Sequence, residues 1–186
     1  MFASRGQPDY GKPVTRYSAL RGRELTAYET AVERFASSRT GAWLFLHVIN
    51  PIDRRLLPLS RGRLSLAVGA PVGLLQTIGA KTGQIRRTPL LYVQGPGEII
   101  LVASNGGSPR HPAWLHNVKA HPDVWFLTAH DSWRQYRALI QHGEARTEPW
   151  QRALDLYAGY QTYQQRAHER EIPVVVLTRT GHEETP

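Results

Sequence analysis

Apolar side chains recur in two rhythms along this chain, and the rhythm changes near residue 70. Between Leu20 and Ser38, Leu25, Tyr28, Val32 and Phe35 return at three- and four-residue steps, the period of an amphipathic helix. GAWLFLHVINPIDRRLLPLSRGR (41–63) is a second apolar piece, interrupted by Pro51 and Pro58 and rimmed by Arg54, Arg55, Arg61 and Arg63. Residues 1–17 are polar and broken by Pro8 and Pro13, which predicts a loose arm.

Beyond residue 70 the apolar runs shorten, and turn signals separate them. GLLQTIG (73–79) and RTPLLYVQ (87–94) flank AKTGQIR, a hairpin connection in which Gly83 can take a positive φ. GPG at 95–97 turns the chain into EIILVAS (98–104). NGGSPRHP then opens onto a short helix, PAWLHNVKAH, with Pro112 in its first turn. DVWFLTA (123–129) and WRQYRALIQHGEA (133–145) read as a strand pair. EPWQRALDLYAGYQTYQQRA (148–167) reads as one helix, capped by Thr147 and continuing through Gly159. IPVVVLTRT (172–180) is the last strand. Consecutive hairpins predict an antiparallel sheet, and six such strands can close into a small barrel. The expected organisation is α+β: an arm over 1–17, a helical extension over 18–69, a barrel domain over 70–180 and a tail over 181–186.

At 186 residues the chain fits one domain with a substantial core. The absence of cysteine removes disulfides, a thiolate nucleophile and cysteine zinc sites. The longest apolar run, 41–49, falls short of the ~20 residues that span a bilayer. MFASRGQPDYGKP lacks the apolar core of a signal peptide, so the expectation is a cytoplasmic protein, soluble or peripheral at the membrane.

The charge is focused. Residues 54–119 hold nine basic side chains against Glu98 alone, which accounts for the whole net charge of +8. Elsewhere 14 basic and 14 acidic groups cancel. Twenty of the 23 basic residues are arginine, suited to planar contacts with phosphate or carboxylate. An anionic partner fits this field, although a solvated basic face would show the same count. Nucleic acid is not expected, because no helix-turn-helix, zinc-finger or RNP pattern accompanies the charge.

Four features carry candidate chemistry. AKTGQIRR gathers Lys81, Arg86 and Arg87 around a glycine turn, where backbone N–H groups and cationic side chains can hold a phosphate. SNGGSPRHPAW is a second glycine loop that runs into a helix start, a place that attracts anions. His111, His116 and His121 recur every five residues and so cannot share one helical face, which rejects a metal site. Tyr157, Tyr160 and Tyr163 fan across one face of the last helix, as core or as a pocket wall with hydroxyls to offer. No GxSxG, SxxK or paired carboxylates are present, so a cofactor that brings its own reactivity fits better than hydrolysis.

GAKTGQIRRTPLLYV, ILVASNGGSPRHPAWLHNVKAHP and LYAGYQTYQQRAHEREIPVVV resemble, in order and spacing, the deazaflavin (coenzyme F-420)-dependent nitroreductase and quinone reductase family of actinobacteria, which are split β-barrels. The likeness covers roughly residues 70–178, and 41–63 is similar to an N-terminal extension of many members. It implies an oxidoreductase that passes a hydride from the reduced deazaflavin to a quinone, enone or nitro compound. By the same resemblance, Lys81, Thr82 and Arg86, with Ala80 beside them, hold the coenzyme's phosphate and acidic tail. Arg87, Thr88, Pro89, Leu90 and Leu91 border the deazaflavin. Val102, Ala103, Ser104 and Asn105 line its pocket. Ala113, Trp114, Leu115, His116 and Asn117 lie along the phosphate–ribityl side. Tyr157, Tyr160 and Tyr163 cover the substrate side with Tyr160 nearest the coenzyme, and Ser104 orients or protonates the acceptor.

Two positions depart from the nitroreductase: Asn105 replaces a lysine, and Leu91 replaces a tyrosine beside the substrate. Coenzyme binding is implied intact, whereas reduction of nitroimidazole prodrugs is not. Alternatives within the same barrel are a non-catalytic lipid or flavin carrier and an FMN-dependent oxidoreductase. Residues 41–63 could dock on an anionic membrane or pack against the barrel or a second subunit, in a monomer or homodimer.

Overall fold

Six short strands wrap into one antiparallel barrel in the computed structural model, which describes residues 71–128 and 132–181 together with Ser38, 40–41, Ile52 and 55–57. The helix expected over 20–38 and most of 41–63 lie outside the described residues. The strands are β1 (Val72–Ile78), β2 (Ile85–Gly95), β3 (Glu98–Val102), β4 (Asp123–Leu127), β5 (Trp133–Gln141) and β6 (Val174–Arg179). They close in the order β1-β2-β3-β6-β5-β4. The hairpins β1–β2, β2–β3 and β4–β5 are sequential, and β6 arrives last to fill the gap between β3 and β5. Among the residues described from 71 onward, three α-helices accompany the barrel: α1 (Ala113–Ala120), α2 (Thr147–Leu156) and α3 (Gly159–Arg166).

Alternation along each strand sends side chains to two apolar layers. Leu75, Leu101, Phe126, Val175 and Leu177 fill the barrel interior, where Trp114, Leu115 and Val118 of α1 pack among them. On the outer face of β2 and β3, Val93 and Val102 pack under α2 and α3. On the outer face of β1 and β4, Leu57 is wholly buried with Val72, Leu74 and Leu127. Both faces of β1 and β6 are therefore covered in part. This is why LL at 74–75 and VVVL at 174–177 run apolar without alternating. Leu57 also shows that part of the 41–63 segment packs on the barrel.

The structure corrects several expected boundaries. β2 starts at Ile85 and β3 ends at Val102, while β5 ends at Gln141 before a 3-10 turn over Gly143–Arg146. Pro112 is the extended residue ahead of α1 (φ −67°, ψ 149°) and not its first turn. Thr147 is the first residue of α2 and makes no side-chain cap, with Arg146 at the cap position. The single helix expected over 148–167 is two helices, because Tyr157 is extended (φ −147°, ψ 99°). The break folds the Tyr157 ring over Gly159, where any Cβ would overlap it. Gly159 is thus a seat for an aromatic ring rather than a tolerated helix defect.

Candidate functional site

The β1–β2 turn is tightly fastened. Gly83 (φ 65°) donates to Gly79 O at 2.8 Å, and Gly79 donates to Gln84 O at 2.8 Å. Asn117 of α1 receives the Ala80 N–H at 3.1 Å and donates to Thr77 Oγ1 at 3.1 Å. These bonds hold Lys81, Thr82 and Arg86 exposed on a rigid turn. Among the described residues Arg86 bonds only the neutral Gln84 Oε1, at 3.1 Å, and no carboxylate neutralises its charge there. Arg87 differs: its Nε donates to the buried Gln76 at 2.8 Å and its guanidinium lies over Trp133, 5.3 Å from the ring centre.

The second glycine loop follows β3. Ser104 is right-handed (φ −70°, ψ −39°), while Asn105, Gly106 and Gly107 have φ of 49°, 63° and 78°. Such a right-to-left succession turns consecutive N–H groups to one side, a concavity that accepts an anion. The Asn105 amide donates to Arg110 O at 3.0 Å, so the side chain closes its own loop. At Gly107 an added Cβ would press on the backbone of Tyr163, which brings the loop against α3.

Arg170 organises this loop, and sequence reasoning missed it. Its guanidinium donates to Ser108 O at 2.7 and 3.0 Å, to Ser104 O at 2.9 Å, to Ala103 O at 3.4 Å and to His111 Nδ1 at 3.2 Å. Burial lowers its pKa from the usual arginine range. Gln164 and Arg146 fasten the same strap: Gln164 binds Ile172 N and Arg170 O at 2.9 Å each, and Arg146 binds Ile172 O at 2.7 Å. Nothing local marks Arg170 among twenty arginines; its partners lie about sixty residues upstream.

Between these two turns β2 changes neighbours. Ile85–Leu91 pairs with β1 alone, and Tyr92–Gly95 pairs with β3. Among the described residues no strand pairs the other edge of 85–91. Leu90 faces the interior while Leu91 and Val93 face outward, and alternation puts Thr88 with the first and Arg87 and Pro89 with the second. The five residues expected to border a deazaflavin thus divide between two faces, with Arg87, Pro89 and Leu91 in one outer row.

The three tyrosines close the far end of that row. Their ring centres are 5.2, 6.0 and 6.2 Å apart, and they pack with Val102, Val93 and Ala153. Tyr157 Oη and Tyr163 Oη are 3.3 Å apart. Tyr160 is 5% exposed, and among the described residues no group bonds its hydroxyl. Burial, and then the neighbouring Tyr163, push its pKa far up, so the proton stays on Oη. An unpaired buried hydroxyl costs about 1–3 kcal/mol, which fits a position where a bound molecule supplies the partner.

Of the other expected residues, Ser104 and Asn105 are half-buried beside the loop, and Ala113 and His116 are exposed on α1. Trp114 and Leu115 face the barrel interior, and Val102 and Ala103 are buried beneath the loop. Both glycine turns attach to α1, one through Asn117 and the other by running into the helix. The chemistry on offer is anion binding at the hairpin and loop, a backbone edge for a planar heterocycle, and a neutral phenol in a dry wall.

A family model described as F420H(2)-dependent quinone reductase matches residues 60–179. An F420H(2)-dependent quinone reductase of Mycobacterium tuberculosis, Rv1261c, is 40% identical over 123 residues, 64% of this chain and 83% of that protein. A putative F420H(2)-dependent quinone reductase of the same organism, Rv3178, is 34% identical over 107 residues, 58% of this chain and 88% of that one. The solved structure of an F420-H2 dependent reductase (FDR-A) superposes with a TM-score of 0.53 at 39% identity, covering 57% of this chain and 93% of its own.

Replacing Arg170 by Met should lower stability by about 2–4 kcal/mol, because several charge-assisted bonds to carbonyls vanish together. Hydrogen exchange at Gly106–Arg110 should accelerate in that variant, with partial recovery in Arg170→Lys. A second expectation concerns alkaline pH. Tyr160 and Tyr163 hold their protons more tightly folded than unfolded, so stability is full below about pH 10 and falls as pH rises beyond it. Unfolding midpoints across that range should decline, and Tyr160→Phe should flatten the decline.

Proposed function

The chain belongs to the F420H(2)-dependent quinone reductase family, and from that membership we propose that it passes a hydride from reduced coenzyme F-420 to a quinone-type acceptor along the outer row of β2. The observation that carries the siting is the buried Tyr160 hydroxyl, which lacks a partner among the described residues and stands in the wall beside that row. When bound, the deazaflavin supplies the hydride.

The protein's own residues do the rest. Lys81 and Arg86 attract and hold the anionic arm, helped by the Ser104–Gly106 N–H groups. The open edge of β2 offers backbone N–H and C=O groups to a planar ring, while the side chain of Arg87 stays anchored on Gln76 and Trp133. The tyrosines exclude water. Tyr160, kept neutral by burial, donates a hydrogen bond from Oη to the oxygen on which charge develops in the acceptor, a role for a preorganised donor in a dry site. Ser104 orients the acceptor from the loop that Arg170 fixes.

The family model names F420H(2), which supports the deazaflavin over flavin mononucleotide as cofactor. A homodimer is the assembly we favour over a monomer: a relative 38% identical, covering 57% of this chain and 79% of its own with a TM-score of 0.54, is described as a domain-swapped dimer. Contact of residues 41–63 with anionic lipid rests on sequence alone, and the burial of Leu57 favours packing on the barrel. Among the described residues no helix is long and apolar enough to cross a membrane.

Menadione should reoxidise reduced F-420, and so restore the visible absorbance of the oxidised coenzyme, faster with enzyme than without; a rate equal to the enzyme-free control overturns the reading. Lys81→Ala with Arg86→Ala should raise the coenzyme Kd about 100-fold and leave kcat at saturation within a few-fold. Tyr160→Phe should do the opposite, lowering kcat about 10- to 100-fold at near-constant coenzyme Kd. The same variant should be as stable as the parent protein, or more so by about 1 kcal/mol, since it deletes an unpaired buried hydroxyl.

A further inference from the structure

A cavity of about 120 Å³ lies away from the hairpin, on the other flank of α1. Its floor is apolar: Leu115 of α1, Ile140 near the end of β5 and Pro173 before β6. Its rim is basic: His111, His116, Lys119 and His142. At 100° per residue, the face bearing Leu115, His116 and Lys119 is roughly 130° round the helix from Ala113 and Asn117, which face the hairpin. The two regions are separate places on the molecule.

The rim is a set of donors brought together by the fold. His111 precedes α1, yet the loop places its ring 6.2 Å from that of His116, edge to face. Arg170 can only donate, so His111 Nδ1 accepts from it at 3.2 Å and the ring proton of the neutral form sits on Nε2. Burial, and then the positive field of Arg170, His116, His142 and Lys119, lower the His111 pKa, so this ring serves as a neutral N–H donor. Lys119 is exposed and carries the permanent charge. His142 lies 3.3 Å from Glu171, a carboxylate behind this rim. Among the described residues no cluster of three or more such side chains is arranged to hold a metal ion. An apolar floor under cationic and N–H donors suits a small amphiphilic anion. The volume approaches the roughly 150 Å³ of a cavity that accepts benzene.

We propose that this cavity is a second binding site, taking a small monocarboxylate whose aryl or short alkyl group rests on Leu115, Ile140 and Pro173 while its carboxylate meets Lys119 and the imidazole N–H groups. Among the described residues the polar groups lining the site are His111 from the loop, His116 and Lys119 from α1 and His142 after β5, with Arg170 bonded to His111 and Glu171 to His142.

The probe is benzoate, titrated into isotopically labelled full-length protein at constant ionic strength without coenzyme, with the histidine ring signals followed by NMR. The expected result is saturable shifts of His111, His116 and His142 with a Kd of about 1 mM. Lys119→Gln combined with His142→Gln should weaken benzoate at least tenfold and leave quinone reduction unchanged. Lys81→Ala should weaken the coenzyme and leave benzoate binding intact, which separates failure of this proposal from failure of the hydride-transfer reading. Absence of saturation overturns the proposal. An equal response to benzyl alcohol overturns the need for an anion, and an equal response to inorganic phosphate overturns the apolar floor.

Discussion

The eleven-residue strand β2 keeps β1 as a partner through its first seven residues and β3 only through its last four, and this leaves a stretch of backbone edge unpaired in the described structure. The chain leaves β3 at Val102 because Arg170 gathers the carbonyls of Ala103, Ser104 and Ser108 onto one guanidinium. A strand continuing past Val102 would have to release them. The opening beside β2, the anion-accepting curl at Ser104–Gly107 and the position of α1 all follow from that exchange of partners. Barrel closure is unaffected, because β6 takes over the edge of β3 and α1 packs into the interior.

Charge is divided by the same logic. Arg146, Arg152, Arg166 and Arg170 all bind carbonyl or carboxylate oxygens, and Arg87 binds the side-chain oxygen of Gln76. Glu98, the lone acid within 54–119, is held by Arg152 and so ties β3 to α2. The chain's basic residues therefore do two kinds of work. Some fasten loops and helices to the barrel; others, represented by Lys81 and Arg86, stay on a rigid turn with no carboxylate against them among the described residues. The second kind is available to an anionic ligand.

The tyrosine cluster joins stability to chemistry. Three rings packed edge to face with Val93, Val102 and Ala153 bury much apolar area, and one hydroxyl pair satisfies itself. Tyr160 retains a proton with no acceptor among the described residues, at a cost a phenylalanine would avoid. In the proposed reaction its placement beside the outer row of β2 would give that cost a function, since a neutral donor in a dry wall is what a developing oxyanion requires.

Much of this was legible in the chain itself. Strand positions, their hairpin order and the barrel class came from period-two runs punctuated by glycine and proline, which are local signals. Lys81, Arg86 and the tyrosines stood out for the same reason, as residues whose chemistry shows within a few neighbours. Tertiary structure decided what depends on distant partners. It broke the last helix at Tyr157 to seat a ring over Gly159, turned Trp114 and Leu115 into the core, and assigned Arg170 to a loop sixty residues away. It also set His111 beside His116, although a five-residue spacing keeps the two off one helical face. Periodicity is written into adjacent residues, whereas a guanidinium's choice of carbonyls exists only once the barrel has closed.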